Sequence, residues 1–288
     1  MKQITREDYE MLVDWAMQFI KKHFKDEISL DEIALKAGFS PFHFHRIFSA
    51  IVGETIKVHQ TRLRMELAGY KLKYSKKSIT EITFECGYNS LETFSRAFRR
   101  FYGTSASQYR KACDTNSEPI IKQRPIRTIS NKGIVMKLEI KTFEDISVLT
   151  CPYKGSYDNC GVAWEKLMSS PVVQKLLGKD TQSIGVCYSD PEETDEEDIR
   201  YKAAVSVPEG TEGDDGIFPE VIEGGKFAVY LYKGPYNQVN DAYKGIYGNW
   251  LPDSGYRPRT DYSLMVHLNS WHDTPEEELL TEIRIPIE

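Results

Sequence analysis

Residues 78–110 read SITEITFECGYNSLETFSRAFRRFYGTSASQYR, and this stretch decides how the first part of the chain folds. Apolar residues recur three and four positions apart in two runs, one on each side of Gly87. The first run is Ile79, Ile82, Thr83 and Cys86, and the second is Phe94, Ala97, Phe98 and Phe101. Such spacing is typical of amphipathic helices, and a glycine between them favours a tight turn. The stretch therefore predicts a helix-turn-helix unit.

A similar stretch occurs earlier in the chain. Residues 29–48 read SLDEIALKAGFSPFHFHRIF, with Gly38 at the turn, and Gly53 and Gly103 close the two copies. A continuous helical pattern over residues 55–72 joins them. We expect this connector to fix the separation of the two units. A spacing of about 34 Å would place both on one face of a DNA duplex.

The second helix of each unit carries the candidate DNA contacts. In a helix-turn-helix unit this helix lies in the major groove, and because the apolar stripe forms the core, the opposite face would meet double-stranded DNA. The candidates are Phe42, His43, His45, Arg46 and Ser49 in the first unit and Leu91, Glu92, Thr93, Ser95, Arg96, Arg99 and Arg100 in the second.

Particular base contacts follow from these residue types. Arg46 and Arg96 are equivalent in the two copies, and each can pair with guanine in a bidentate manner. Phe42 and Leu91 would meet thymine methyl groups, and Glu92 can accept from a cytosine amino group. The alternative is that each charged face is only a solvated helix surface. The matched glycine, core stripe and arginine in two copies favour DNA reading.

The charge is distributed unevenly along the chain. The net charge is -6, but residues 1–127 hold 22 Lys and Arg against 15 Asp and Glu, a balance of +7. Residues 128–288 hold 15 against 28, a balance of -13. A basic part suits a polyanion, whereas the acidic part would repel one and attract cations.

Composition excludes several classes of protein. With 40% apolar and 28% charged residues, the chain is typical of a globular protein, and neither a signal peptide nor an 18-residue apolar run is present, so we expect it to stay in the cytosol and bind no membrane. The five cysteines contain no CxxC pair, so we interpret them as reduced thiols. His43 and His45 stand two apart and would point to different sides of a helix. We therefore expect no metal site, and the sequence indicates no cofactor.

The fold class changes along the chain. Residues 114–133 are polar, with Pro119, Pro125 and Gly133, and predict a linker. The sequence therefore predicts a multi-domain protein: an all-α double helix-turn-helix domain at residues 1–113 and an α+β domain at residues 134–288.

The second domain also contains a repeat, of strand, helix, strand and strand, with YKGSY and YKGPY as anchors. The first copy is predicted as a strand with turn, a helix and two strands at residues 143–157, 159–177, 183–188 and 200–207. The second copy is predicted at residues 226–236, 238–250, 262–268 and 281–285. Two such halves would pair about a pseudo-two-fold axis, with a ligand cleft between their helices and the sheet.

Aromatic residues crowd the expected walls of this cleft. The candidates for ligand contact are Trp164, Tyr153, Tyr157, Tyr230, Tyr232, Tyr236, Trp250 and Trp271, with Tyr243 at the same offset as Trp164. Aromatic faces bind cations and flat rings, although tyrosines that alternate in strands often serve only sheet packing.

Glu282 lies in the final apolar strand, LLTEIRIPI. Alternation places it on one face with Arg284, so it is either half of a solvent-facing salt bridge or a ligand contact on the cleft floor. In the second case it would select a positively charged, partly apolar effector. The acidic insert DPEETDEED at residues 190–198 is expected to be a solvated loop.

Both parts resemble known families. The two helical stretches are similar to the paired units of the AraC-type (AraC/XylS) regulators over roughly residues 8–112. That resemblance implies base contacts by Phe42, His45 and Arg46 in the first unit. In the second unit it implies contacts by Glu92, Thr93 and Arg96.

The second part resembles the GyrI-like effector-binding domain at YKGSY, Trp164, YKGPY and TEIRIPI, which implies that Glu282 faces the ligand. A Rob-like architecture follows from the combination of the two parts.

We therefore expect a transcription regulator that binds DNA as a monomer, contacts RNA polymerase and senses a small hydrophobic or cationic effector. One alternative is hydrolysis of small molecules, as the GyrI-like resemblance allows, although no GxSxG, P-loop or HExxH motif occurs and we expect no enzyme. The other alternative is a protein-binding module without a small-molecule site.

Overall fold

The computed structural model describes residues 4–115 and 136–288, so most of the predicted linker lies outside the described residues. The first part is helical throughout its described length. Its helices are α1 (Arg6–His23), α2 (Leu30–Ala37), α3 (Pro41–Val52), α4 (Ile56–Tyr74), α5 (Ile79–Glu85), α6 (Leu91–Tyr102) and α7 (Ala106–Asp114).

Local sequence signals set the ends of these helices. Ser90 accepts a hydrogen bond from the amide of Thr93 at the start of α6, and Gly103 ends α6 in the left-handed conformation at φ 74°. Gly53 ends α3 in the same way at φ 83°. The predicted connector is confirmed as α4, which Thr55 caps through the amide of Val58.

The second helix-turn-helix unit, α5 and α6, has a core of its own. Phe94 and Phe98 are fully buried and pack with Met65 and Leu72 of α4 and with Tyr109 of α7. The predicted apolar stripe of α6 is therefore its core face, and the polar residues of α6 face away from this core.

The second part is built on an eight-stranded antiparallel sheet with the order β1-β6-β8-β7-β3-β4-β2-β5. Its strands are β1 (Glu139–Phe143), β2 (Ile146–Lys154), β3 (Ser183–Cys187), β4 (Arg200–Ser206), β5 (Phe218–Ile222), β6 (Gly225–Lys233), β7 (Ser263–His267) and β8 (Leu280–Pro286). The predicted repeat is confirmed, because the order is symmetric about the pairing of β3 with β7. The edge strand β1 precedes the first half in sequence but pairs with β6 of the second half. The edge strand β5 precedes the second half but pairs with β2 of the first half.

Helices cover one face of this sheet. The first half supplies α8 (Gly161–Ser169) and α9 (Pro171–Leu176), and the second supplies α10 (Val239–Gly245), a π-helical turn (Ile246–Trp250) and α11 (Leu251–Ser254). The single helix predicted over residues 159–177 is divided at Ser170, which caps α9 ahead of Pro171. None of the helices in the described ranges combines the length and the apolarity needed to cross a bilayer.

The two parts share a hydrophobic core. Tyr9 of α1 and Phe44 of α3 belong to the same buried cluster as Tyr247 of the π-helical turn and Ile283 of β8. The first helix-turn-helix unit, α2 and α3, therefore packs on the sheet domain, whereas the second unit does not contribute to this cluster.

Candidate DNA-reading and effector surfaces

The candidate DNA-reading face of α6 is exposed along its length. The side chains of Arg96 and Glu92 are 73% and 81% exposed, and Arg96 Nη2 lies 3.9 Å from Glu92 Oε1. Leu91 is also exposed, as the thymine-methyl hypothesis requires. The remaining exposed candidates on this helix are Thr93, Ser95, Arg99 and Arg100.

The corresponding face of α3 is covered, so the expectation that it is open to DNA is wrong for this conformation. All five candidates on this helix are at most 9% exposed: Phe42, His43, His45, Arg46 and Ser49. The cover is the sheet domain, which places α10, the π-helical turn, Asp190 and Glu193 against α3. Their surface is aromatic and acidic and therefore complements a basic helix.

We call the surface where α3 meets the sheet domain the docking interface. Arg46 lies at its centre. Its guanidinium carbon is 4.0 Å from the ring centroid of Tyr243 on α10, which is a cation–π contact. Its Nε lies 3.9 Å from Asp190 Oδ2, and its Nη1 donates a hydrogen bond of 3.5 Å to Asn240. Because Arg46 is 5% exposed, these groups take the place of water around its charge.

His45 joins the same interface through two carboxylates. Its Nδ1 lies 2.9 Å from Asp190 Oδ2 and its Nε2 lies 3.2 Å from Glu193 Oε2. Burial disfavours the charged ring, but the hydrogen bond to Asp190 and the adjacent carboxylate of Glu193 outweigh burial and raise the pKa of His45 to about 9. His45 is therefore charged at neutral pH when α3 is docked.

His43 is buried without a carboxylate nearby. Its Nδ1 is hydrogen-bonded to the hydroxyl of Tyr247 at 2.6 Å, and the residue is 0% exposed. Burial and then the charge of Arg46 lower the pKa of His43 to about 3, so this ring is neutral at physiological pH.

The acidic loop, residues 190–198, was expected to be solvated, and this expectation is wrong for Asp190 and Glu193, whereas Asp195 is exposed. Asp190 is buried beneath α3. Glu193 accepts from the backbone amide of Lys57 at 3.0 Å, in the first turn of α4, where the helix dipole favours a carboxylate. Asp195 pairs with the ammonium of Lys57 at 2.9 Å.

Contacts at the far side of α3 and at α1 complete the docking interface. Arg6 of α1 binds Asp253 with two hydrogen bonds, of 2.6 and 2.8 Å. Arg257 donates to the carbonyl of Gly38 at 3.0 Å, and its guanidinium lies over the ring of Phe39. The first unit is therefore held at several points along its surface.

Aromatic side chains converge on β7, on the helix-covered face of the sheet. His267 of β7 is surrounded by Trp164, Tyr236 and Trp271, with a hydrogen bond of 2.9 Å between the Tyr236 hydroxyl and His267 Nδ1. Burial lowers the pKa of His267 to about 4. Its Nε2 is buried and has no hydrogen-bond partner among the described residues.

The predicted aromatic wall divides into separate groups. Trp164, Tyr236 and Trp271 converge on His267, and Trp164 also donates to the hydroxyl of Tyr201 at 2.9 Å. Tyr157 lies nearby, with its hydroxyl donating to the carbonyl of Ser189. The others lie elsewhere: Tyr230, Tyr232 and Trp250 pack against the shared core, and Tyr153 lines an open hollow of about 490 Å³ beside the acidic loop.

Glu282 does not lie on the floor of the predicted ligand cleft. Ile283 and Ile285 pack on the helix side of the sheet, so alternation places Glu282 and Arg284 on the opposite side. There Glu282 binds Arg284 Nη2 at 2.7 Å and Lys141 Nζ at 3.0 Å. The salt-bridge interpretation describes this residue, although the pair is largely buried rather than solvent-facing.

Asp190, Glu193 and His267 were not among the site residues predicted from the sequence. The opposite net charges of the two halves could have indicated Asp190 and Glu193, because a basic helix and an acidic loop in one chain can pair with each other. His267 carried no comparable signal, because a single histidine in an alternating strand is typical of packing.

Comparison with known proteins places both parts in families. A model described as "GyrI-like small molecule binding domain" matches residues 136–288, more than half of the chain. The chain belongs to the GyrI-like family. A "Helix-turn-helix domain" model matches residues 22–112. The chain is thus an AraC-type DNA-binding regulator with a GyrI-like effector-binding domain.

Individual relatives share this organisation to different extents. Transcriptional regulator Rob of Salmonella typhimurium is 23% identical over 245 residues, which cover 81% of this chain and 82% of Rob. Regulatory protein SoxS of the same organism is 28% identical over 102 residues, which cover 35% of this chain and 95% of SoxS. The crystal structure of the EcmrR C-terminal domain matches with 18% identity and a TM-score of 0.45, covering 54% of this chain and 99% of that chain.

Proposed function

We propose that this regulator reads double-stranded DNA with α3 and α6 and acts in the cytoplasm on promoters to which it recruits RNA polymerase. The observation that carries the DNA-reading proposal is the polar face of α6, where all seven candidates are exposed on a helix whose other face is core. The relatives Rob and SoxS are regulators, which supports the same function. Since one chain supplies two reading helices, we propose that it binds as a monomer.

The test of DNA reading begins with the promoter fragments that the protein retains from its own genome. On such a site we expect Arg96→Ala to weaken binding and to relax the preference at one base pair. Sedimentation of the complex gives the number of chains per DNA. A full-length protein that retains random fragments as well as promoter fragments would contradict the proposal.

We further propose that the GyrI-like domain binds a small effector at the aromatic group around His267, in the predicted cleft, without transforming it. Support comes from the aromatic group of Trp164, Tyr236 and Trp271 and from the unpartnered nitrogen of His267, which together suit a ligand with a flat apolar body and one polar group. With benzyltrimethylammonium as a probe, we expect a rise in Tm that Trp271→Ala abolishes and that Trp15→Ala, on the surface of α1, leaves intact. Turnover of the probe would favour the hydrolase alternative, and no Tm shift with any small molecule would favour the protein-binding module.

A further inference from the structure

The surroundings of Arg46 have the composition of a cation-binding site in the effector domain. The ring of Tyr243 forms one wall, Asp190 supplies a carboxylate and Asn240 supplies an amide oxygen. Aromatic faces together with a buried carboxylate are what a planar organic cation requires. We call Asp190, Asn240 and Tyr243 the cation box.

The cation box is fixed by contacts that do not involve α3. The hydroxyl of Tyr243 is hydrogen-bonded to Ser263 of β7 at 2.9 Å. The other oxygen of Asp190, Oδ1, accepts from the amide of Glu192 at 2.9 Å. Asn240 donates to Glu192 at 2.8 Å. These contacts would persist if Arg46 left, so the box is preorganised for another cation.

Arg46 fits this box imperfectly. Its Nε is buried and has no hydrogen-bond partner among the described residues. Among the described residues, the guanidinium has one hydrogen bond to a side chain, which is 3.5 Å long, and the distance to Asp190 exceeds hydrogen-bond range at 3.9 Å. A buried donor without an acceptor costs free energy, so a free cation able to approach Asp190 more closely can replace Arg46.

Occupancy of the box by Arg46 and DNA reading by α3 exclude each other. The candidate DNA face of α3 is at most 9% exposed while Arg46 lies in the box, so DNA cannot contact it in this state. Both DNA and a competing cation therefore favour the conformation in which Arg46 is released. By thermodynamic linkage, a bound cation must raise the affinity of the protein for DNA, and bound DNA must raise its affinity for the cation.

We propose that the cation box is an effector site for guanidinium-type and amidinium-type cations, and that Arg46 fills it as an internal ligand until such an effector displaces it and frees α3 for DNA. The box lies beside Ser263 of β7, which is four strand residues or about 13 Å along the strand from His267. The inference rests on the proposed function, because release of α3 changes DNA binding only if α3 reads DNA.

The experiment uses the full-length protein, a retained promoter fragment and two probes of the same shape, hexylguanidinium and neutral hexylurea. We expect hexylguanidinium to raise the DNA affinity roughly 2- to 30-fold, the range of one cation–π contact, and hexylurea to leave it unchanged. Equal effects of the two probes, or a loss of DNA affinity with hexylguanidinium, would overturn the proposal.

Two pairs of variants test the box itself. Asp190→Asn should raise DNA affinity without any probe and remove the response to hexylguanidinium, whereas Asp180→Asn, the same charge change at an exposed residue, should behave as wild type. Tyr243→Leu, which removes the ring, should act like Asp190→Asn. Tyr243→Phe keeps the ring and should retain the response. If Asp190→Asn has the same DNA affinity and probe response as Asp180→Asn, and Tyr243→Leu the same as Tyr243→Phe, the box does not bind α3 through Arg46.

Calorimetry separates this proposal from the proposed function. Hexylguanidinium should bind the wild-type protein and the Asp180→Asn variant without DNA, and should not bind Asp190→Asn. If no variant binds DNA specifically, the proposed function fails, while the calorimetric result still decides whether the cation box exists. Binding that is unaffected by Asp190→Asn would place the cation elsewhere and overturn the inference.

Discussion

Arg46 and Arg96 hold the same position in two 12-residue helices, yet Arg46 is 5% exposed and stacks on Tyr243, whereas the side chain of Arg96 is 73% exposed. The two copies of one motif are therefore in different states within a single conformation. The second unit is open to DNA, and the first is held by the effector domain. This asymmetry makes the two arginines unequal in any binding experiment on the full-length protein.

Arg96→Ala should reduce the affinity for a specific site by about 1 to 3 kcal/mol, because it removes a contact to a base edge. Binding to random DNA should fall much less. Fluorescence anisotropy with both DNAs measures the difference, and Lys21→Ala on α1 controls for the loss of one positive charge. Equal losses on the two DNAs would mean that Arg96 contacts only phosphates.

Gly248→Leu should raise DNA affinity although Gly248 lies in the effector domain. A Cβ at this position of the π-helical turn would stand 3.1 Å from the Cβ of Ala50 on α3, closer than ordinary packing allows. The larger side chain should therefore push α3 off its docking surface. Gly178→Leu is the control, since a Cβ there meets nothing within 4 Å.

The stabilisation that His45 provides should depend on pH. Its pKa is raised to about 9 in the docked state, above the ordinary value of about 6.5 for an unfolded chain. The contribution is therefore complete below about pH 6.5 and is lost as the pH rises through about 9. The difference in Tm between wild type and His45→Gln should shrink over this range, by on the order of 5 °C.

Asp190 titrates in a different pH range from His45, so it does not account for the pH dependence predicted for His45. Burial opposes its charge, but Arg46 and His45 hold its pKa below the ordinary range, so its contribution is lost only in strong acid. Asp190 therefore cannot produce a change between pH 6.5 and 9. A constant Tm difference across that range would show that His45 is not held between two carboxylates.

Glu282→Gln should destabilise the fold and leave effector binding unchanged. The substitution leaves Arg284, whose side chain is 8% exposed, without its carboxylate, and we expect a cost of about 1 to 3 kcal/mol. Glu278→Gln breaks the exposed pair with Lys233 and should cost well under about 1 kcal/mol. Lost effector binding with an unchanged Tm would restore Glu282 as a ligand contact.

Much of the fold was predictable because its signals are local. Glycine positions and apolar stripes predicted both helix-turn-helix units, and strand alternation predicted six strands of the sheet. The edge strands β1 and β5 were missed because their residues are mostly exposed or half-buried, which weakens the apolar alternation, and because each pairs with the distant half of the repeat.

The candidate sites were less predictable because they depend on contacts between distant parts of the chain. Helical periodicity assigned the polar face of α3 to solvent, whereas Tyr247 and Asp190, more than 140 positions away, bury it. Alternation grouped Glu282 with Arg284 correctly but cannot show which side of a sheet the helices cover. Such information comes only from the tertiary structure.

The most direct test of the docked first unit is the reactivity of His43 toward diethylpyrocarbonate, read by mass spectrometry at pH 7. His43 is neutral at this pH and 0% exposed, so only burial can protect it, and His23, whose side chain is 38% exposed, is the internal reference. We predict that His43 is protected in the wild-type protein and becomes reactive in Asp190→Asn or with hexylguanidinium, while His23 reacts throughout. If His43 reacts as fast as His23 in the unliganded wild-type protein, α3 is not covered by the effector domain.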